Sequence, residues 1–360
     1  MEKDLANIIK AIPGEILWLI EASSTYLVGG AVRDYLLDKP FFDYDFIVTS
    51  KDFESLPYKL KEKNLKYILL NRMTFPLYRV FLNNFTFDFT TYNNLEEDAL
   101  KRDFTVNAIY VNVGDLKTYS HPLAFDDLRN RTLRVCSENS VRNDPVRYMR
   151  AFRFLAQYHF SIEEGTRLLL HTSKDLYLTS KRERARVELL KFLKNSIDDI
   201  KYAVSLVFDG VDFSFIRRIL IGEKIPELHK NINKDSTYLD MLKAYFLSKT
   251  HNEFLYGLTI KEMEFVSFID KKIESNFESL FDAFYEKRGR PEFVILNIVA
   301  NFNTDLLPIC IEVIRNWKRE KVNFSEVEVF AKENSLTIDK AYREVFRRMC
   351  RRIYENICHY

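Results

Sequence analysis

The spacing of apolar residues changes once along this chain, near residue 140, and that change limits the possible folds more than any other feature. Before it, the short runs Thr25–Val28, Phe42–Val48, Tyr78–Leu82, Phe85–Thr91 and Ala108–Val113 read as strands, with helical stretches between them. After it, Val146–Phe160, Arg182–Leu193, Asp240–Leu247, Asp305–Trp317 and Lys340–Tyr354 carry apolar residues three and four apart, the mark of amphipathic helices. The expected class is therefore α+β: a mixed N-terminal head and an all-helical remainder. The stretches Asn231–Thr237 and Lys287–Pro291 are the expected inter-helix loops.

At 360 residues the chain has room for two or three compact units. Four scattered cysteines, none in a C-x-x-C pair, exclude a disulfide framework and argue for a reducing, cytoplasmic setting. Apolar runs such as Ile16–Ile20 and Phe293–Leu296 fall far short of the roughly 20 residues of a membrane span, and the acidic opening MEKD lacks a signal peptide's basic start. A soluble protein without membrane association is expected. Residues 1–140 carry 17 Lys+Arg against 20 Asp+Glu, and residues 141–200 carry 12 against 8. That gradient suits a chain holding metal ions in one place and a polyanion in the next, but ordinary solvated helices would produce it too.

Glycine is scarce, 9 in 360, yet Gly29 and Gly30 are adjacent. The stretch YLVGGAVRDYLLDKPFFDYDFIVTS (26–50) parses as strand, Gly-Gly turn, short helix, a break at Pro40, and a second strand. A Gly-Gly pair where a strand enters a helix lets backbone N–H groups approach a phosphate, although such a turn alone is weak evidence. In FDYDFIV, strand alternation puts Asp43 and Asp45 on one face while Tyr44, Phe46 and Val48 turn to the core. Two carboxylates side by side repel each other and favour cations, and Mg²⁺ habitually takes one or two carboxylates plus substrate phosphates. In FTFDFTT, Asp88 projects from the polar face, where a surface carboxylate and a third metal ligand are equally open readings. Three such groups on adjacent strands would bind two Mg²⁺ ions for an in-line displacement at phosphorus.

Four stretches in order now carry a resemblance: LVGGAVRDYLL, then FDYD, then LEEDALKRDFTVNAIYV at 95–111, then RNDPVRYMRAFRFLAQYHF at 142–160. Together they resemble the class II tRNA nucleotidyltransferase and bacterial poly(A) polymerase family. The resemblance implies a nucleotidyltransferase head with a small mixed sheet (1–140), a helical neck that recognises the nucleotide base (141–200), and a helical body and tail that bind tRNA (201–360). It implies addition of C and/or A residues to the tRNA 3′ end from CTP and ATP, with two Mg²⁺ ions. Under it, Asp43 and Asp45 match the metal-binding pair and Asp88 the third carboxylate. Gly29, Gly30 and Arg33 match nucleotide-contacting positions, as does Asn107. Arg102 matches the residue placed at the ribose, with Asp103 orienting it. Asp144 and Arg147 match the pair that reads the base, and Arg150 and Arg153 match further nucleotide contacts.

The residues of the neck have a plain reading as well. Asp144 before Pro145 is an ordinary helix start, with Asp144 as N-cap. Arg147, Arg150 and Arg153 then form a slowly turning cationic ridge. KRERARVELLKFL resembles the family's helix-turn element that braces the neck, and reads equally as a plain amphipathic helix with Glu183 and Arg186 in mutual support. Three departures from the family pattern stand out. Asn143 replaces a usual Glu, and His121–Pro122 stands where Asp-Pro is common. Only Asn93 and Asn94 join Thr90–Tyr92 to Leu95–Asp98, where many CCA-adding members carry a loop of about twenty residues. That short path points to CC addition alone, with A addition, poly(A) polymerase activity or a noncatalytic RNA-binding protein on the same scaffold as alternatives. The last helix interleaves Arg343, Arg347, Arg348, Arg351 and Arg352 with apolar residues, a face for RNA phosphates or for solvent.

Overall fold

The computed structural model describes residues 4–71, 76–224, 238–287, 292–301, 303–319 and 322–358. The loops expected at Asn231–Thr237 and within Lys287–Pro291 lie outside the described residues, apart from Lys287. Two compact units result. One comprises Met1–Lys181 with Tyr202–Asp209, the other Arg182–Lys201 with Gly210–Tyr360. The division expected at 140 and 200 does not coincide with these units, because the neck helix packs its apolar face within the first of them.

The first unit is built on a seven-stranded sheet. In chain order the strands are β1 (Tyr26–Val28), β2 (Asp43–Val48), β3 (Lys66–Asn71), β4 (Pro76–Leu82), β5 (Phe85–Thr91), β6 (Ile109–Asn112) and β7 (Thr118–Ser120). Their spatial order is β3-β4-β5-β2-β1-β6-β7. The five strand runs seen in the sequence all form, while β3 and the three-residue β7 went unseen. Strand β3 lies at the sheet edge and leaves Ile68 and Leu69 exposed, so its pattern lacks clean alternation.

The pair that matters for function is β2 with β5, the parallel pair within this sheet, registered Asp43 to Thr86 and Asp45 to Asp88. Aromatic alternation pins that register. Tyr44 stacks on Phe87 at 5.1 Å and Phe46 on Phe89 at 5.2 Å, all buried on the core face. A slip of one residue would turn these rings to solvent and the aspartates to the core. Each ring pair contributes about 0.5–1.5 kcal/mol beyond its buried area.

The helix Arg147–Tyr158 buries Tyr148, Met149, Ala151, Phe152, Phe154, Leu155 and Ala156, and ends where His159 adopts the left-handed conformation (φ 52°). Its start corrects the sequence reading. Asp144 is not its N-cap; it ends the preceding turn Ser140–Asn143, and the helix begins three residues later behind Val146, with no side-chain cap.

The second unit contains no strand among its described residues; its helices include Arg182–Leu193, Tyr238–Ser248, Ile260–Ile269, Phe277–Glu286 and Ile338–Cys358. Two expectations change here. Arg186 forms a bidentate pair with Glu262 on the Ile260–Ile269 helix rather than with Glu183. The terminal arginines face acids: Arg343 meets Asp282 at 2.8 Å, and Arg347 and Arg351 share Glu278. The basic face is thus largely an ion-pair ladder onto the Phe277–Glu286 helix. Among the described residues, no helix is long and apolar enough to cross a membrane.

Candidate active site

The first unit brings most of the predicted site residues to one region. Gly29 ends β1 with φ 84° and ψ −138°, a conformation L side chains rarely adopt, and acts as N-cap of the Gly30–Leu36 helix. A Cβ there would lie 3.0 Å from Asp45 Oδ2 and 3.6 Å from an Arg102 nitrogen. Gly29 therefore leaves the space in which the Asp45 carboxylate and the Arg102 guanidinium sit together. Asp43 is exposed, and its Oδ1 accepts the Thr86 hydroxyl from the neighbouring strand. Burial pushes the Asp45 carboxyl above its ordinary range; the nearby Asp88 adds to this, and Arg102 and Arg150 oppose it.

Asp88, matched to the third carboxylate, is paired with a cation. It is buried, and both its oxygens accept from Arg79 on β4, at 2.8 Å from Nε and 2.6 Å from a terminal nitrogen. Among the described residues, no cluster of three or more Asp, Glu, His or Cys is arranged to hold a metal ion. The donor set that remains, two carboxylates on one strand face with the Gly29 cradle beside them, fits Mg²⁺. That ion prefers hard oxygen ligands and completes its shell with water and phosphate oxygens.

Arg102 is held by Asp98 and Tyr110, and not by Asp103 as expected. Arg102 Nε donates to Asp98 at 2.8 Å and to the Tyr110 hydroxyl at 2.9 Å, and that hydroxyl donates to the same Asp98 oxygen. Asp98 escaped the sequence reading although it precedes Arg102 by four residues, the spacing of helical ion pairs. Asp103 turns instead toward the neck. It receives Arg150 Nε at 2.5 Å, the Asn107 amide at 2.8 Å and the Phe104 backbone N–H. Burial alone would raise its carboxyl, yet Arg150, the Asn107 hydrogen bond and the Arg147 charge hold it far below the usual carboxylate range.

Asn107 links this group to Arg33. The Arg33 guanidinium is buried, donating to Asn107 Oδ1 at 2.5 Å, to Tyr158 at 2.6 Å and to Asp34, and lying over the Phe154 and Tyr158 rings. A continuous chain Asp34–Arg33–Asn107–Asp103–Arg150 thereby fastens the Gly-Gly helix to the neck helix. Arg147 donates to the backbone carbonyls of Lys101 (2.5 Å) and Arg102 (3.1 Å) and to Ser140. Arg153 donates to Gln157 and covers Phe154. The ridge of three arginines thus has distinct jobs: Arg150 serves Asp103, and Arg147 holds the segment that carries Arg102. Asp127, near His121–Pro122, is a buried brace accepting Thr105 and Arg134.

The path between β5 and the Leu95–Lys101 helix is closed by chemistry. Asn94 caps that helix, accepting from the backbone of Glu96 at 2.8 Å and Glu97 at 3.2 Å. A strand end and a capped helix start meet across three residues, Tyr92–Asn94.

Residues 25–134 match the family model of the poly(A) polymerase head domain. A CC-adding tRNA nucleotidyltransferase from Synechocystis is 29% identical over 211 residues, covering 58% of this chain and 50% of the relative. A multifunctional CCA protein from Mannheimia succiniciproducens is 36% identical over 208 residues, covering 53% and 49%. The matches therefore span about half the length of these curated relatives. The solved structure of a Thermotoga maritima CCA-adding enzyme complexed with tRNA aligns over 99% of this chain and all of its own, with TM-score 0.68 at 20% identity. That likeness establishes a shared fold.

Proposed function

We propose that the chain, whose residues 25–134 match the poly(A) polymerase head-domain family and which is similar to curated tRNA nucleotidyltransferases, is a member of that family and extends the 3′ end of tRNA with C and/or A from CTP and ATP, without a nucleic-acid template. The observation that carries the proposal is the junction of Gly29, Asp45 and Arg102, in which a positive-φ glycine leaves room for a carboxylate beside a guanidinium. In the proposed reaction the RNA 3′-hydroxyl attacks the α-phosphate and pyrophosphate departs. Mg²⁺ ions, two by expectation, would be held by Asp43 and Asp45 and would supply neutralisation of triphosphate charge and activation of the hydroxyl.

The rest is work for the chain itself. The Gly29–Gly30 backbone offers N–H groups at the start of a helix to the phosphates. Arg102, anchored through Nε by Asp98 and Tyr110, keeps its remaining donors for the ribose and phosphates. Asp144 and Arg147 are assigned to the base. A carboxylate accepts from the exocyclic amine of cytosine or adenine, while guanine and uracil present a carbonyl there and would leave it unpaired. Arg147 also bonds the carbonyls of Lys101 and Arg102, so a base-reading residue and the ribose-facing residue share one support.

We assign CC addition as the finer activity. The Asn94 cap supports this, because it leaves no free chain between β5 and the following helix to serve as a specificity-switching loop. The test offers purified protein tRNAs lacking CCA, CA or only the terminal A, each with single labelled nucleotides. Two C residues on the first substrate and no A is the expected ladder. A complete CCA ladder or long A-only tails would move the assignment to CCA addition or poly(A) synthesis, and no incorporation on any primer would leave an RNA-binding protein without chemistry.

A further inference from the structure

Register puts three charged residues of adjacent strands in one row: Arg79 on β4 faces Asp88 on β5, and Asp88 faces Asp45 on β2. Neighbouring strands lie about 4.8 Å apart, so the row sets a cation two strands from the proposed metal-binding pair. The Arg79–Asp88 contact is bidentate, with both carboxylate oxygens taken, and Asp88 is only 8% exposed. Asp43 is exposed and Asp45 half-buried on the same face. An ion arriving from solvent thus meets one exposed carboxylate, one half-buried carboxylate and a third that already holds its counter-charge.

We propose that Arg79 is a resident counter-ion that keeps Asp88 out of metal coordination, so that the metal centre of this protein rests on Asp43 and Asp45 alone. This inference rests on the metal-dependent reading of the site above. The physical reason is competition for the same oxygens. A planar guanidinium with two parallel donors matches a carboxylate closely, and a paired, partly buried carboxylate loses that match before it can ligate a metal. Arg79 also faces Asp45 and Asp43 electrostatically, so its charge balances part of the acidic cluster whether or not an ion is bound. Arg79 is in this sense a positioning residue: it acts through Asp88 and through charge.

The sequence alone did not show this. Arg79 and Asp88 are nine residues apart on two strands of a hairpin, and only the pairing register makes them opposite.

The test is Mn²⁺ binding to the full chain without nucleotide, followed by electron paramagnetic resonance of free Mn²⁺. Wild type should bind Mn²⁺, and Asp45→Asn should abolish that binding. Arg79→Gln releases Asp88 and removes a positive charge, and should tighten binding by about tenfold. The double variant Arg79→Gln/Asp88→Asn removes the pair as a unit and should return to wild-type affinity. Far-UV circular dichroism confirms folding. Should Arg79→Gln fail to fold, the double variant still decides, since deleting both partners avoids stranding a buried charge. The inference is overturned if the double variant loses Mn²⁺ as completely as Asp45→Asn, which would make Asp88 a ligand, or if Arg79→Gln binds no more tightly than wild type. Absence of Mn²⁺ binding by wild type itself would instead remove the metal-dependent reading, a result distinct from the other two.

Discussion

The two glycines of the Gly-Gly turn should respond oppositely to the same substitution. Gly29→Ala forces a side chain onto φ 84°, ψ −138°, a region that costs a non-glycine residue about 1–3 kcal/mol. The added Cβ would also stand 3.0 Å from Asp45 Oδ2. Because that oxygen is the far end of a side chain, it can yield by a few tenths of an ångström, so the backbone strain dominates the stability loss. Taking about 2 kcal/mol, and about 2–4 °C per kcal/mol for a unit of this size, the melting temperature of the first unit should fall by roughly 4–8 °C. The displaced carboxylate should weaken Mn²⁺ binding in the same variant. At Gly30 the added Cβ would meet only an Arg33 nitrogen at 3.7 Å, an ordinary contact, at the first residue of a helix. Gly30→Ala should therefore leave the melting temperature unchanged or raise it slightly, since it restricts the unfolded chain by about 0.4–1 kcal/mol. Paired thermal melts followed by circular dichroism, with Mn²⁺ titration of both proteins, measure the contrast. If Gly30→Ala costs as much as Gly29→Ala, or Gly29→Ala melts with wild type, the conformational account of the turn is wrong.

The Asp103 carboxyl sits below its usual range in the fold, so its ionised form stabilises the protein above about pH 4, the unfolded value, and that contribution fades as pH falls further. Asp103→Asn should lower the melting temperature at pH 7 and flatten its acid decline below pH 4; a decline as steep as wild type would remove Asp103 from the account. In the second unit Glu278 neutralises both Arg347 and Arg351. Glu278→Gln should strengthen nonspecific RNA binding and steepen its salt dependence, as expected when two more cations reach phosphates, and filter binding across a salt series would show no change if the ladder has no bearing on RNA.

Much of the site was legible because its residues are close in sequence or follow a simple period. Asp43 and Asp45 share a face through strand alternation. Gly29 and Gly30 stood out in a chain short of glycine. Arg102 belonged to a recognisable run. Partners were legible less often. Asp98 could have been paired with Arg102 by its helical spacing, but the adjacent Asp103 drew the assignment, since sequence shows neighbours and not directions. The chain leaves the helix at Arg102 in an extended conformation, and the Asp103 side chain meets Arg150 and Asn107. The same limit misplaced Arg186, whose partner Glu262 lies 76 residues away.

What the amino-acid order determined on its own was local: the change of period near residue 140, the aromatic alternation that makes β2 and β5 strands, and the need for glycine at a strand-to-helix turn. These depend on backbone geometry and the sidedness of a few consecutive residues. Which charge meets which was decided only when the strands paired. The register of β4, β5 and β2 gives Asp88 to Arg79 and leaves Asp43 and Asp45 without it, and the packing of the Arg147–Tyr158 helix divides its arginines between a carboxylate and a pair of backbone carbonyls. Electrostatic partnership falls off over a few ångströms, and that distance exists only in the folded chain.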